Sequence, residues 1–135
     1  MKYRILIVCA NYYSDISNNL LKDAKTTLKS KAKYQIINVP GVFEIPVIIA
    51  KNIKKYHGFI ALGCVIKGET PHFDFISNTT INAIMNLSIV HKKPIGNGIL
   101  TCLDKTQAKA RSGSFNKVGK GTEAAKAVFS VLNNS

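Results

Sequence analysis

The order of apolar patterns along the chain limits the folds that it can adopt. Continuous apolar runs, typical of strands buried on both faces, alternate with segments whose apolar residues recur at helical spacing. We predict strands at 4–10, 34–39, 58–66 and 94–103, the last interrupted by Gly96-Asn97-Gly98. We predict helices at 16–28, 46–55, 74–91, 104–112 and 122–132, with Ser14 and Asp15 capping the first.

This βαβαβαβαα order predicts an α/β fold. Right-handed crossovers between successive strands give a four-stranded parallel sheet with helices on both faces, a three-layer sandwich. A chain of 135 residues fits one domain with a substantial core, so we assign residues 1–135 to a single domain. Ligands of such sheets bind beyond the carboxyl ends of the strands, here at 10–15, 40–44, 67–72 and 101–104.

Composition bears on the cellular compartment of the protein, on membrane association and on the state of its cysteines. No apolar run approaches the roughly 20 residues that span a bilayer, so we expect no membrane partner. The first apolar run is too short for a signal peptide, which predicts a cytoplasmic protein. The three cysteines, Cys9, Cys64 and Cys102, lie in apolar runs without close spacing, so we expect buried, reduced thiols and neither a disulfide framework nor a zinc site.

The net charge of +12 raises the question of nucleic-acid binding. Of the 19 basic residues, however, only Arg4 and Arg111 are arginine, and the lysines are scattered over several helices. A phosphate-reading surface favours arginine, whose planar fork makes two-point contacts. We therefore interpret the charge as solvated helix faces and predict no nucleic-acid partner.

The segment that follows the third predicted strand has the features of an anion site. Val65-Ile66-Lys67-Gly68-Glu69-Thr70-Pro71-His72 passes from a strand through a turn to a helix start. Backbone N–H groups at such a turn attract anions. A histidine beside them is able to transfer protons. The alternative for His72 is a helix-start histidine bonded to the backbone.

Two long motifs together resemble one enzyme family. Residues 40–46 (PGVFEIP) and 63–74 (GCVIKGETPHFD), followed by 97–101, 107–111 and 119–125, are similar to lumazine synthases over nearly the whole chain. The resemblance implies a flavodoxin-like fold and no cofactor or metal. It implies condensation of 5-amino-6-(D-ribitylamino)uracil with 3,4-dihydroxy-2-butanone 4-phosphate to 6,7-dimethyl-8-ribityllumazine. It also implies a homopentamer with active sites between subunits, with Asn97 and Arg111 on opposite sides of that interface.

The same resemblance implies the residues that handle the phosphate and the protons. His72 matches the proton-transferring histidine. Arg111 matches the arginine that binds the substrate phosphate, although an exposed helix-end charge is the alternative. Glu69 and Thr70 match further phosphate-binding positions, and Lys120 matches a lysine at the rim of the site.

The remaining matched positions concern the pyrimidine and its ribityl chain. Val42, Phe43 and Glu44 match the segment that binds them, and otherwise Glu44 would be a helix-start carboxylate. Backbone groups of Cys64, Val65 and Ile66 match positions that meet the heterocycle. Two positions depart from the family pattern: Tyr12 replaces a phenylalanine or tryptophan that stacks on the ring, and Asn97 replaces a phenylalanine.

Two other functions remain open at this point. One is a non-catalytic flavin- or lumazine-binding relative that uses the same pocket, which would need neither His72 nor Arg111. The other is a basic nucleic-acid module on the same type of sheet, whose signature would be strongly salt-dependent binding to arbitrary duplex DNA.

Overall fold

The computed structural model describes residues 2–68, 72–113 and 119–134 of the chain. Within these ranges strands and helices alternate, as the sequence predicts. The strands are β1 (Tyr3–Ala10), β2 (Ala32–Val39), β3 (Gly58–Ile66) and β4 (Ile95–Cys102). The helices are α1 (Ser14–Leu28), α2 (Ile45–Lys51), α3 (Phe73–His91), α4 (Lys105–Arg111) and α5 (Lys120–Asn133), and a 3-10 turn at Val42–Glu44 precedes α2.

The strands form one parallel sheet in the order β2-β1-β3-β4. This order matches the first four strands of the flavodoxin-like arrangement. Alternate residues of β1 point to opposite faces: Ile5 and Ile7 pack with α1 and α5, whereas Leu6 and Val8 pack with α2 and α3. The predicted α/β sandwich, with helices on both faces of a four-stranded sheet, is confirmed.

Helical spacing predicted the buried face of α1 well and that of α3 less well. Of the apolar residues that recur at helical spacing on α1, Ile16, Leu20, Ala24 and Leu28 are buried and Leu21 is half-buried. On α3 Ile84 is buried, but Met85 is 58% exposed while Ser77 and Thr80 are buried. A helix that is apolar around much of its circumference gives a weak signal for which stripe faces the core.

Glycines in β4 bring a helix close to the sheet and do not interrupt the strand. The pairing with β3 runs without a break from Ile95 to Cys102. A Cβ atom at Gly96 would lie 2.3 Å from the carbonyl oxygen of Ala124 on α5. The predicted interruption at 96–98 is therefore wrong, because these glycines serve close helix–sheet packing.

Two predicted helix boundaries also need correction. Tyr13 is the N-cap of α1, without a side-chain capping bond, so capping by Ser14 and Asp15 is wrong. The Asp15 carboxylate instead lies 3.9 Å from the Lys105 ammonium. Helix α2 ends at Lys51, four residues before the predicted end at 55, and the Asn52 side chain donates to the carbonyl of Ile48.

All three cysteines are free and buried, as predicted. Burial raises the pKa of the Cys9 thiol to about 11, so it stays protonated and unreactive at neutral pH. Among the described residues, no helix has the length and apolar character that crossing a bilayer requires.

Candidate active site

The carboxyl ends of the strands bring distant segments of the chain to one edge of the sheet. Tyr12 follows β1, the 3-10 turn at 42–44 follows β2, His72 follows β3, and α4 follows β4. Because the strands are parallel, these segments share an edge even though they are far apart in sequence. The topology of the sheet therefore brings these four segments to one edge.

The 3-10 turn lies directly on β3. Val42 is buried, and a Cβ atom at Gly63 would lie 2.6 Å from its Cγ1. The missing side chain at Gly63 thus lets the turn approach the strand. Phe43 is 59% exposed, and the Glu44 carboxylate accepts a hydrogen bond of 3.0 Å from the N–H of Gly41. Glu44 therefore closes the turn that presents Phe43.

The end of β3 offers backbone more than side chains. Cys64, Val65 and Ile66 are buried, so a ligand at this edge would meet them chiefly through the main chain. Pairing of β3 with β4 continues to Ile66, whereas its pairing with β1 ends at Leu62. β3 therefore extends four residues beyond the end of its pairing with β1.

His72 lies beside an apolar cavity. It is an exposed residue at the N-cap of α3, and its carbonyl accepts the N–H of Ile76 at 2.9 Å. Together with Phe43, Phe75 and Ile76 it lines a cavity of about 510 Å³. The imidazole is the polar group among three apolar side chains, a setting that suits a planar ligand and a proton-transferring group.

A second cavity, of about 490 Å³, holds the charged residues predicted for the phosphate. Arg111 at the end of α4 and Lys120 at the start of α5 line it, with Glu123 as the acidic member. Two cations and one carboxylate leave a net positive cavity. The Arg111 guanidinium also lies against the Cys102 thiol. The pKa of this thiol is raised, because the effect of burial outweighs the lowering effect of the guanidinium.

The position of α4, and hence of Arg111, is fixed at its start by two reciprocal hydrogen bonds. The Asp104 carboxylate accepts the N–H of Gln107 at 2.9 Å, and the Gln107 side-chain oxygen accepts the N–H of Leu103 at 2.9 Å. These bonds satisfy backbone donors that a helix start leaves without intrahelical partners. They anchor the short helix to the end of β4.

Asn97 lines the same cavity as Arg111. The resemblance implied opposite sides of a subunit interface for these two residues, whereas β4 and α4 present them to one cavity of a single chain. The Asn97 side-chain oxygen accepts the N–H of Ile99 at 3.0 Å. Its amide N–H₂ group remains the part that is suited to donate to a ligand.

Tyr12 is among the residues that line neither cavity. Tyr12 is 71% exposed and makes an edge-to-face contact with Tyr13, with ring centroids 4.9 Å apart. Glu69 and Thr70 lie outside the described residues.

Sequence reasoning missed several residues that line the cavities: Phe75, Ile76, Ile81 and Glu123. Helical spacing could have found three of them. Phe75 and Ile76 follow His72 by three and four residues, and Glu123 follows Lys120 by three. Residues at these separations share a helix face. Ile81 had no such signal, because only the packing of α3 beside β4 brings it to the cavity.

Comparison with known proteins identifies the family. The model of the 6,7-dimethyl-8-ribityllumazine synthase family matches residues 2–135. A 6,7-dimethyl-8-ribityllumazine synthase of Bartonella henselae is 46% identical over 97% of this chain and 87% of its own length. That of Bartonella tribocorum is 45% identical over 92% and 86%, and that of Agrobacterium fabrum 43% identical over 97% and 93%.

The chain belongs to the 6,7-dimethyl-8-ribityllumazine synthase family. The family predicted from the two long motifs is thereby confirmed, and no observation favours a non-catalytic relative. The names of these relatives give no support to the nucleic-acid alternative. Among the described residues, no three His, Cys, Asp or Glu side chains cluster as metal ligands would.

Proposed function

We propose that the chain catalyses the lumazine synthase reaction. It would condense 5-amino-6-(D-ribitylamino)uracil with 3,4-dihydroxy-2-butanone 4-phosphate, releasing 6,7-dimethyl-8-ribityllumazine, phosphate and water. The steps are imine formation, elimination of phosphate and ring closure, which require positioning, an anion site and proton transfer. We expect no cofactor or metal to take part.

The observation that carries this proposal is the shared cavity of Arg111 and Lys120 alongside β4. In our proposal the Arg111 guanidinium binds the substrate phosphate through two-point hydrogen bonds, which a point charge such as lysine does not reproduce. Lys120 adds positive charge at the rim. Glu69 and Thr70 are proposed to complete the phosphate site through backbone and hydroxyl groups.

His72 is proposed to transfer protons during phosphate elimination. Its exposed position at the N-cap of α3, in an apolar cavity with Phe43, lets an imidazole reach a ligand that rests on the phenyl ring. The two ring nitrogens of an imidazole allow it both to accept and to donate a proton in one catalytic cycle.

The pyrimidine and ribityl chain are proposed to bind along the 3-10 turn and the end of β3. Val42 and Phe43 would supply apolar contact, and Glu44 would accept hydrogen bonds from ribityl hydroxyls. Main-chain groups of Cys64, Val65 and Ile66 would meet the edge of the heterocycle. Tyr12 would stack on the ring and the Asn97 amide would donate to the uracil edge.

We further propose that the working enzyme is a cytoplasmic homopentamer of single-domain subunits with sites between neighbours. Two observations support shared sites. His72 and Arg111 line different cavities of one chain, so a second subunit could bring an Arg111 cavity to a His72 cavity. Large apolar side chains are also exposed on α2 and α3, a pattern typical of subunit contacts: Val47, Phe75, Met85, Ile89 and Val90.

The activity is tested by mixing the purified protein with both substrates and following product absorbance and fluorescence. We expect His72→Asn to lower kcat by about 100-fold. His91→Asn, an exposed histidine at the other end of α3, is the matched control and should leave kcat unchanged. Arg111→Gln should raise KM for the butanone phosphate by on the order of 10- to 100-fold, while Lys109→Gln on the same helix should not.

Product formation no faster than the spontaneous reaction would overturn the proposed activity. If a flavin or lumazine still bound, a non-catalytic binding role would replace it. Assembly is tested separately by sedimentation. Ile89→Asp on the exposed face of α3 should dissociate the oligomer and abolish activity, whereas Asn82→Asp adds the same charge at an exposed polar position and should do neither.

A further inference from the structure

A third cavity lies at the opposite edge of the sheet, at the amino ends of the strands. It has a volume of about 390 Å³ and is lined by residues from the start of β1, the start of β2 and the segment before β3: Arg4, Lys33, Tyr34, Gln35, Lys55 and Tyr56. The length of the strands separates this cavity from the carboxyl edge of the sheet, so the proposed lumazine site does not use these residues.

Like charges face each other in this cavity. Arg4 and Lys33 are register partners on the adjacent parallel strands β1 and β2, so their side chains leave the same face of the sheet. Like charges directly opposite across a sheet are destabilising. Lys55 adds a third cation, and none of the described lining residues is acidic. Such an arrangement is stabilised when an anion lies between the cations.

The Arg4 side chain is held in place before any ligand arrives. Its guanidinium donates to the carbonyl of Lys55 and lies 5.5 Å from the ring centroid of Tyr56. The Tyr56 hydroxyl in turn donates to the side-chain oxygen of Gln35. An arginine with five N–H donors keeps donors available after one such bond. Because the fork is preorganised, less entropy is lost when it binds an anion.

The walls of the cavity are aromatic as well as cationic. Tyr34 and Tyr56 are half-buried and pack against the cores on the two faces of the sheet. Tyr34 is the register partner of Ile5 and so leaves the opposite face from Arg4, whereas the Tyr56 ring lies beside the Arg4 guanidinium. A phenol ring beside a fixed guanidinium suits a ligand that joins a negative group to a planar ring. A volume of about 390 Å³ lies within the roughly 300–1,000 Å³ range of small-molecule sites.

We propose that this cavity binds a small phosphate ester that carries a planar ring, of the nucleoside monophosphate class. The phosphate lies between Arg4 and Lys33, with Lys55 as the third positive charge, and the ring packs against Tyr56. The site is separate from the proposed catalytic phosphate site at Arg111, and it does not depend on the proposed reaction.

Calorimetric titration with adenosine monophosphate and with inorganic phosphate tests this site. The parent protein carries Arg111→Gln, which removes the arginine of the other phosphate site. We expect adenosine monophosphate to bind more tightly than phosphate. Lys33→Gln and Arg4→Gln should each weaken its binding by about tenfold or more, the effect of losing one charged hydrogen bond. Lys126→Gln, an exposed lysine on α5, is the matched control and should leave the affinity unchanged.

Three results would overturn the proposal. These are absence of binding at millimolar nucleotide, equal affinity for phosphate and nucleotide, and affinities that Lys33→Gln and Arg4→Gln leave unchanged. Lys33 is exposed, so Lys33→Gln keeps the test valid should Arg4→Gln fail to fold. A Lys33→Gln variant that retains Arg111 should form lumazine at the same rate as the protein without substitutions.

Discussion

The Glu44 carboxylate accepts a hydrogen bond of 3.0 Å from the backbone N–H of Gly41, three residues earlier in the chain. The N–H of Glu44 lies 3.2 Å from the carbonyl oxygen of Gly41, so the two residues close the turn from both sides. The sequence allows two interpretations of Glu44, as a ribityl-binding group and as a helix-start carboxylate. These two roles are compatible. A carboxylate has about four lone-pair sites, and the bond from Gly41 uses one of them.

Replacement of Glu44 should separate these two roles. Glu44→Gln keeps an oxygen acceptor for the N–H of Gly41, so the free energy of unfolding should change little. Glu44→Ala removes the acceptor and should lower the free energy of unfolding by about 1 kcal/mol. Both variants should raise KM for the ribityl aminouracil. Urea unfolding and steady-state kinetics check this, and a stable Glu44→Ala protein would contradict the role in the turn.

A methyl group at Gly63 should separate the 3-10 turn from β3. In Gly63→Ala the new Cβ would lie 2.6 Å from Cγ1 of Val42 and 3.1 Å from the Cβ of Ala10. Overpacking of this kind lowers the free energy of unfolding by roughly 1–3 kcal/mol. We expect kcat/KM to fall as well, because the turn carries Phe43.

The double variant Val42→Ala with Gly63→Ala gives the control for this clash. Val42→Ala removes the atom that the new methyl group would meet, so the two changes should be less harmful together than the sum of their separate effects. If the changes in the free energy of unfolding of the two single variants, measured with urea, add exactly in the double variant, the destabilisation by Gly63→Ala has another source.

The cap at Asp104 should matter for substrate affinity through Arg111. Asp104→Ala removes the acceptor for the N–H of Gln107 and should lower the free energy of unfolding by about 0.5–2 kcal/mol. Because α4 is short, its loosened start should also raise KM for the butanone phosphate. Asp104→Asn retains a good cap and is the matched control. An unchanged KM in Asp104→Ala would show that the position of Arg111 does not depend on this cap.

The Asp23 carboxylate makes stability depend on pH. It lies on α1 beside the backbone of Gly113 and Gly119, and burial raises its pKa above the ordinary 3.8, while a hydrogen bond from the backbone of Gly119 and the charge of Lys22 lower it. The folded state therefore holds the proton more tightly than the unfolded state. The corresponding stability is present below pH 3.8 and is lost as the pH rises through the folded pKa.

Asp23→Asn should abolish that dependence. The free energy of unfolding of the variant relative to the original protein should increase as the pH rises from 3.8 through the folded pKa of Asp23, since the variant has no proton to lose there. Urea unfolding across this range measures the difference. Profiles that run parallel for the two proteins would mean that Asp23 does not titrate differently in the folded and unfolded chain.

Local patterns in the sequence were sufficient for the elements and for the family. Strand β3 was read from its continuous apolar run, and all nine of its residues are buried. The stripe from Ile16 to Leu28 placed α1 against the sheet. Both follow from chain-local physics, because side-chain direction repeats with the period of the strand or helix. The long motifs around Glu44 and His72 identified the lumazine synthase family for the same reason, since a motif is read along the chain.

Tertiary structure alone decided the contacts between segments that are distant in the chain. It placed Asn97 and Arg111 in one cavity, fitted α5 against Gly96 and exposed Met85 on α3. It also set Arg4 opposite Lys33 at the amino edge of the sheet. Such contacts depend on strand order, on register and on the distance at which a helix crosses the sheet. These quantities are set by the packing of the whole core, so no single segment of the sequence contains them.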